Sequence, residues 1–181
     1  MSRERHRMER AAGRGGDAIV AMEGVSRTYK QGRVTAVRDV TFAVARGEYL
    51  AIVGPSGGGK STLLHLLCGI ESPTGGRVLF EGSEPSSPGA WAALRARRIG
   101  LVFQTFNLLP TLTAAENVEV PLIGVWRRER DRRARAMQLL ERAGLLPGAT
   151  RLPSELSGGE CQRVAIARAL ANHPSLILAD E

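Results

Sequence analysis

Residues Gly54-Pro55-Ser56-Gly57-Gly58-Gly59-Lys60-Ser61 follow the spacing G-x-x-x-x-G-K-[ST]. That spacing suits a loop that cradles phosphates. Glycines let the backbone curl with its N–H groups pointing inward. A helix starting near Lys60 adds amides without intrahelical partners and the positive end of its dipole. The Lys60 ammonium should reach β- and γ-phosphates, and the Ser61 hydroxyl should bind Mg²⁺. A Gly-rich turn with an incidental lysine would need no particular flanks. Phosphate chemistry needs a strand before the loop and a helix after it. Tyr49 to Val53 is a continuous apolar run and predicts a strand buried on both faces. Ser61 to Cys68 lacks Gly and Pro and predicts a helix stopped by Gly69.

A second group of chemistry-bearing residues lies near the other end. Leu156-Ser157-Gly158-Gly159-Glu160 precedes a run from Gln162 to Leu170 with no Gly or Pro. Ser-Gly-Gly ahead of a long helix is an anion site by the same physics as the first loop. Alone it reads equally well as a Ser N-cap. Downstream of a phosphate loop it resembles the signature motif of the ABC ATPase superfamily. The likeness extends over almost the whole chain after Met22.

The resemblance assigns further roles. Leu176-Ile177-Leu178-Ala179-Asp180-Glu181 is similar to Walker B, with Asp180 linked to Mg²⁺ and Glu181 catalytic. Gln104 is similar to the Q-loop glutamine that bonds the metal and the attacking water. Tyr29 and Val37 resemble the aromatic and apolar residues that pack on adenine. Residues 54–61 with Thr62 would hold ATP. Ser157, Gly158 and Gly159 would grip the γ-phosphate of ATP bound to a second subunit. The expected partners are therefore a paired ATPase subunit, as a homodimer or otherwise, and a transmembrane permease. Phe106, Leu108, Leu109 and Pro110, unusually apolar for a connecting segment, would receive a short permease helix. Ile99 to Thr113 with Glu116-Asn117-Val118 resembles one branch, the lipoprotein-releasing and macrolide-export ATPases, with the cell-division ABC ATPase nearby. A non-transport regulator of the cell-division kind shares every motif named. A DNA-maintenance ATPase would carry a long coiled coil or a zinc insertion between the two motifs, and neither heptads nor a cysteine cluster is present.

Three departures stand out. Gly58 replaces the usual Ser, which should loosen the loop slightly. Glu160 and Cys161 follow Ser-Gly-Gly where Gln and then Gln or a basic residue are commoner. The family pattern also continues past Walker B with a D-loop, a further strand and a switch histidine. His6, His65 and His173 all precede Walker B. The sequence is therefore expected to be a truncated cassette. The runs 49–53 and 176–179 would each lack a pairing neighbour, and residues 1–181 alone would not form a stable, active ATPase.

The elements that must position these residues are legible in outline. Ile19 to Met22 predicts a strand. Near-alternation over Val34 to Val44 predicts strands paired antiparallel with one face buried. Arg77 to Phe80, Ile99 to Phe103 and Leu176 to Ala179 predict further strands. Ala90 to Arg97 and Gly159 to Asn172 predict helices. So does Arg127 to Ala143, with Ala134, Met137, Leu140 and Ala143 on its core face and the arginines of 127–133 in solvent. The predicted class is α/β: a P-loop NTPase core with a parallel sheet, an N-terminal antiparallel β layer and an inserted helical subdomain at about 105–157.

The 181-residue chain can build one domain, expected over residues 18–181, and 43% apolar content argues against disorder. Residues 1–17, polar and rich in Gly and Arg, predict a flexible basic arm without the apolar stretch of a signal peptide. The net charge of +7 is carried almost wholly by arginine, since Lys30 and Lys60 are the only lysines. Nucleic acid is not the expected partner. Cys68 and Cys161 are far apart, which excludes a CxxC pair and fits a reducing cytoplasm. No apolar run is long enough to span a bilayer. The expected location is the cytoplasmic face of the plasma membrane, held peripherally by the permease.

Overall fold

The computed structural model describes residues 18–29 and 32–180. The arm predicted over residues 1–17 and the catalytic residue expected at Glu181 lie outside these. The chain divides into two compact units, residues 1–92 and 93–181.

The first unit is built on a three-stranded antiparallel sheet in the order β2-β1-β3, with β1 at Ala18–Tyr29, β2 at Val34–Ala45 and β3 at Gly75–Phe80. β1 is far longer than the predicted Ile19–Met22, so Tyr29 ends it. Met22 pairs with Phe42 on one side and Val78 on the other. The register shifts between Met22 and Val25, where Gly24 takes a left-handed φ of 59°. This bulge lets Val20, Met22 and Val25 all be buried although strict alternation would expose one. Helix α1 (Lys60–Leu67) buries Leu66 and Leu67.

Residues 49–53 form no strand. Tyr49 is 91% and Val53 88% exposed, and no strand pairing among the described residues includes them. A parallel strand is stabilised by ladder bonds to distant segments, so apolar composition cannot order the run without a neighbour.

Helix α2 (Pro88–Arg97) crosses the division in sequence. The second unit contains β4 (Ile99–Val102) and β5 (Leu176–Ala179), parallel and in register from Ile99↔Leu176 to Val102↔Ala179. Leu176 and Leu178 are buried but Ile177 is 49% exposed, so β5 is covered on one face. Helices α3 (Ala114–Glu119), α4 (Glu129–Arg142) and α5 (Gly158–Ala169) enclose a core that includes Val118, Leu122, Leu140 and Val164.

The face of α4 differs from the reading. Ala136, Leu139 and Leu140 are buried, Met137 and Ala143 flank them, and Ala134 is exposed. The 3.6-residue period fits a stripe centred on Leu139–Leu140, one step round from the predicted one. Nor is the arginine run wholly solvated. Arg132 donates to the Trp126 carbonyl at 3.0 Å, and Arg133 pairs with Glu119 at 2.9 Å.

Candidate functional site

The phosphate loop projects from the first unit with residues 53–58 exposed. Gly57 and Gly59 adopt φ of 76° and 82°. Gly59 is the N-cap of α1 and supplies no side-chain cap. The first-turn amides of Lys60, Ser61 and Thr62 have no carbonyl one turn back in the helix, which is the donor set an anion requires. A Cβ on Gly59 would lie 2.2 Å from the Ala36 carbonyl oxygen and 3.7 Å from Val37 Cγ2. β2 thus braces the loop from below. The Gly58 N–H donates to the Pro55 carbonyl at 3.0 Å and closes the turn. Lys60 Nζ donates to the carbonyls of Gly54 and Pro55 at 3.1 and 3.0 Å, folding its charge over the loop mouth.

Val37 is buried, at 6% exposure, with its side chain toward the loop. Tyr29 is half-buried. Its hydroxyl donates to Glu71, and the Arg27 guanidinium lies 4.7 Å from its ring centroid. A base stacking on Tyr29 must use the face opposite Arg27 or displace it.

In the second unit the parallel register brings Gln104 and Asp180 out at the same, C-terminal end of β4 and β5. The Asp180 N–H donates to the Val102 carbonyl at 3.0 Å and extends the ladder one residue past β5. Ligand sites of parallel sheets lie at this end. Gln104 follows in an exposed turn closed by the Phe106 N–H donating to the Phe103 carbonyl at 3.0 Å. Among the described residues no three His, Cys, Asp or Glu side chains converge on a point. The Asp180 carboxylate and the Gln104 amide oxygen are oxygen donors of the kind Mg²⁺ takes, a set that phosphate oxygens and water would have to complete.

Ser157 is the N-cap of α5, with Gly158 and Gly159 in its first turn. Its hydroxyl and N–H donate to Glu160 Oε2 at 2.7 and 2.8 Å, and its oxygen accepts from the Glu160 N–H at 3.3 Å. These bonds, the hydroxyl's first and the backbone's second, hold the Glu160 carboxyl below its ordinary pKa. The hydroxyl must turn away from Glu160 to meet a phosphate.

Residues 37–181 match the ABC transporter family. This chain belongs to that family. Its fold is the ABC ATPase fold, α/β with an antiparallel β layer and parallel strands. An uncharacterized ABC transporter ATP-binding protein of Thermotoga maritima is 55% identical over 151 residues, which are 82% of this chain and 64% of that protein. The ATP-binding cassette MJ0796, in a dimeric post-hydrolysis state bound to ADP and Pi, superimposes with a TM-score of 0.84 at 44% identity, over 90% of this chain and 73% of that one. The cbiO1 protein of Clostridium perfringens, part of the ABC transporter complex cbiONQ, gives 0.79 at 32% identity, over 91% and 66%.

In this ABC chain the two signature departures have simple surroundings. Glu160 completes the cap just described. Cys161 is buried, its Sγ 3.6 Å from the Pro153 carbonyl. Two residues important to the site's shape were not singled out from sequence. Asn117 is fully buried; its Oδ1 accepts from the Leu109 N–H at 2.8 Å, and its Nδ2 donates to the carbonyls of Leu109, Leu112 and Thr113 at 2.9–3.1 Å. It fixes the loop that displays Leu109. Arg168 donates to the carbonyls of Phe106 and Asn107, both at 2.6 Å. Sequence names Asn117 only as part of the branch likeness and not for this role, and nothing local points to Arg168.

Proposed function

We propose that this chain is the ATP-binding and ATP-hydrolysing subunit that powers an ABC transporter, by closing with a second cassette around shared ATP, in the export or lipoprotein-release branch. The observation that carries the reading is the emergence of Gln104 and Asp180 at one end of the β4–β5 pair, in a chain whose other motifs are a formed phosphate loop and a capped signature helix. The dimeric state of MJ0796 and the assembly of cbiO1 in a transporter complex support the partners.

In this reading the loop amides and Lys60 bind the phosphates, and Tyr29 and Val37 face the base. By the family resemblance Ser61, Gln104 and Asp180 would hold Mg²⁺, which would neutralise charge on the phosphates. Gln104 and Glu181 orient the attacking water, and Glu181 takes its proton. In-line transfer needs positioning and charge stabilisation more than covalent chemistry. Ser157, Gly158 and Gly159 complete the partner's site through the N-terminus of α5. The subunit would sit at the cytoplasmic membrane face through its permease; no described helix is long and apolar enough to cross a membrane itself. Leu109 is 45% exposed and Pro110 exposed, while Phe106 and Leu108 are half-buried. These residues are the proposed permease contact, and the likeness of 99–118 to the export branch supports its assignment.

The deciding experiment uses the full-length subunit. Mg²⁺-dependent ATP turnover is expected. Glu181→Gln should keep binding and lose turnover, so that ATP-bound dimers accumulate on size exclusion. A Glu181→Gln protein that stays monomeric under saturating Mg-ATP would overturn the reading. Leu109→Asp should lose permease-stimulated turnover with the fold intact; an unfolded variant would place Leu109 in the core instead.

A further inference from the structure

The segment after Gln104 carries a local conflict. Phe106 and Asn107 both adopt left-handed φ, 60° and 47°, and neither is glycine. Adjacent left-handed residues with side chains are each disfavoured by contact between Cβ and the backbone. The segment belongs to no helix or strand whose ladder could hold it. Its internal bonds are the turn from Phe106 to Phe103, an N–H contact from Asn107 to the Thr105 carbonyl at 2.6 Å, and the Thr105 hydroxyl on Asn107 Oδ1 at 2.9 Å.

Arg168 supplies the external restraint. It lies in the last turn of α5, and its guanidinium sends Nη1 to the Asn107 carbonyl and Nη2 to the Phe106 carbonyl, both at 2.6 Å. The planar fork matches two adjacent carbonyls, as an ammonium cannot. The half-buried guanidinium is lowered from its ordinary pKa by burial, which is the environment in which such bonds are strong. The same helix begins at Ser157. A twelve-residue helix is a stiff rod of about 18 Å.

We propose that Arg168 is a positioning residue for Gln104: it latches the strained bend behind the glutamine to the far end of the signature helix. The inference deepens the ATPase reading and rests on it for its catalytic consequence. Without the latch the left-handed pair relaxes and Gln104 loses its fixed position. ATP affinity, set at the phosphate loop, is untouched. Shifts of α5 at its Ser157 end are passed to the Gln104 turn by the same contact.

Two measurements on the full-length subunit test this. Hydrogen exchange reads the latch without any turnover. Arg168→Gln should speed exchange of the amides of 106–108 by about tenfold or more while β1 to β3 exchange as in wild type. Arg168→Lys, which keeps stem and charge but loses the fork, should fall between. Steady-state turnover reads its use. Arg168→Gln should lower kcat roughly tenfold to hundredfold with KM for ATP within about twofold, and Gln104→Ala combined with Arg168→Gln should be no slower than Gln104→Ala alone. Unchanged exchange at 106–108 in a folded Arg168→Gln or Arg168→Lys protein would overturn the latch. Multiplying losses in the double variant would show that Arg168 does not act through Gln104. A wild-type protein without turnover would contradict the ATPase reading alone, since the exchange result stands by itself.

Discussion

The Ala36 carbonyl oxygen occupies the space a Gly59 side chain would need, 2.2 Å from an ideal Cβ. Backbone from β2 cannot retreat as a flexible side chain could, and the φ of 82° at Gly59 adds a second penalty for any L-residue. Gly59→Ala should therefore displace the loop, lower the melting temperature and cut ATP affinity together. Gly58 is different. A Cβ there would meet the Pro55 carbonyl oxygen at 2.9 Å, within the loop itself. Gly58→Ser, the commoner residue in the family pattern, must move the Pro55 carbonyl but meets no positive φ. It should lower the melting temperature less than Gly59→Ala does. A Gly59→Ala protein with wild-type affinity would show that the loop is not braced by β2.

Lys60 donates to two loop carbonyls that a phosphate would have to outcompete. Lys60→Met keeps most of the stem and removes the charge. Losing a charged hydrogen bond to the β- and γ-phosphates should weaken ATP by about tenfold to hundredfold, since such bonds contribute roughly 1.5–3 kcal/mol. AMP has neither phosphate, so its weaker binding should be unchanged. Calorimetric titration with both nucleotides separates phosphate recognition from general damage to the loop.

From a fully buried side chain Asn117 accepts one hydrogen bond and shares its two amide hydrogens among three carbonyls. Asn117→Leu fills the volume but leaves the carbonyls of Leu109, Leu112 and Thr113 without this donor. The expected cost is about 2–4 kcal/mol, read by chemical denaturation. Asn117→Asp should be worse, because a carboxylate would then face three carbonyl oxygens. An Asn117→Leu protein of wild-type stability would mean that water satisfies the loop.

How much of this was legible follows the range of the interactions. The glycine-rich turn before α1 and the Ser157 cap of α5 depend on residue type at fixed short spacing, and sequence shows that geometry directly. The antiparallel layer showed in alternation, but the bulge at Gly24 hid the true length of β1. Residues 49–53 were misread because order in a parallel strand comes from its neighbours. Ala134 was misassigned because several stripes one residue apart satisfy the same period in an alanine- and arginine-rich helix. Arg168 and Phe106 are brought together by folding alone, and no local pattern encodes their meeting.

Acid should weaken the helix caps. Glu116 accepts from the Thr113 hydroxyl and N–H, both at 2.7 Å, and Glu160 repeats the arrangement with Ser157. The hydroxyl bond first and the backbone bond second lower both carboxyls from their ordinary value of 4.5. A depressed folded pKa means the contribution is fully present above the unfolded value and is lost as pH falls through the folded one. Denaturation midpoints between about pH 7 and about pH 3 should show wild type losing its advantage over Glu116→Gln only below the ordinary carboxylate pKa. A constant difference across that range would mean that ionisation of Glu116 does not stabilise the cap.

The sharpest test of a shared site is Ser157→Arg. The side chain would place bulk and charge at the N-terminus of α5, where the partner's γ-phosphate is proposed to sit. It also removes an N-cap, which alone costs about 1 kcal/mol, so Ser157→Ala is the matched control for stability. In a Glu181→Gln background, size exclusion with Mg-ATP should show dimers for the parent, fewer for Ser157→Ala and none for Ser157→Arg. Each Ser157→Arg monomer should still bind ATP at its own phosphate loop. A double variant carrying Ser157→Arg and Lys60→Ala has no intact composite site, so it should be inactive. Mixing Ser157→Arg subunits with Lys60→Ala subunits can leave at most one composite site whole, because one partner supplies the loop and the other the signature. Loss of ATP binding by Ser157→Arg monomers would place the signature helix in its own subunit's site, and full activity in the double variant would show that neither Ser157 nor Lys60 belongs to the site; either result removes the basis for closure around shared ATP.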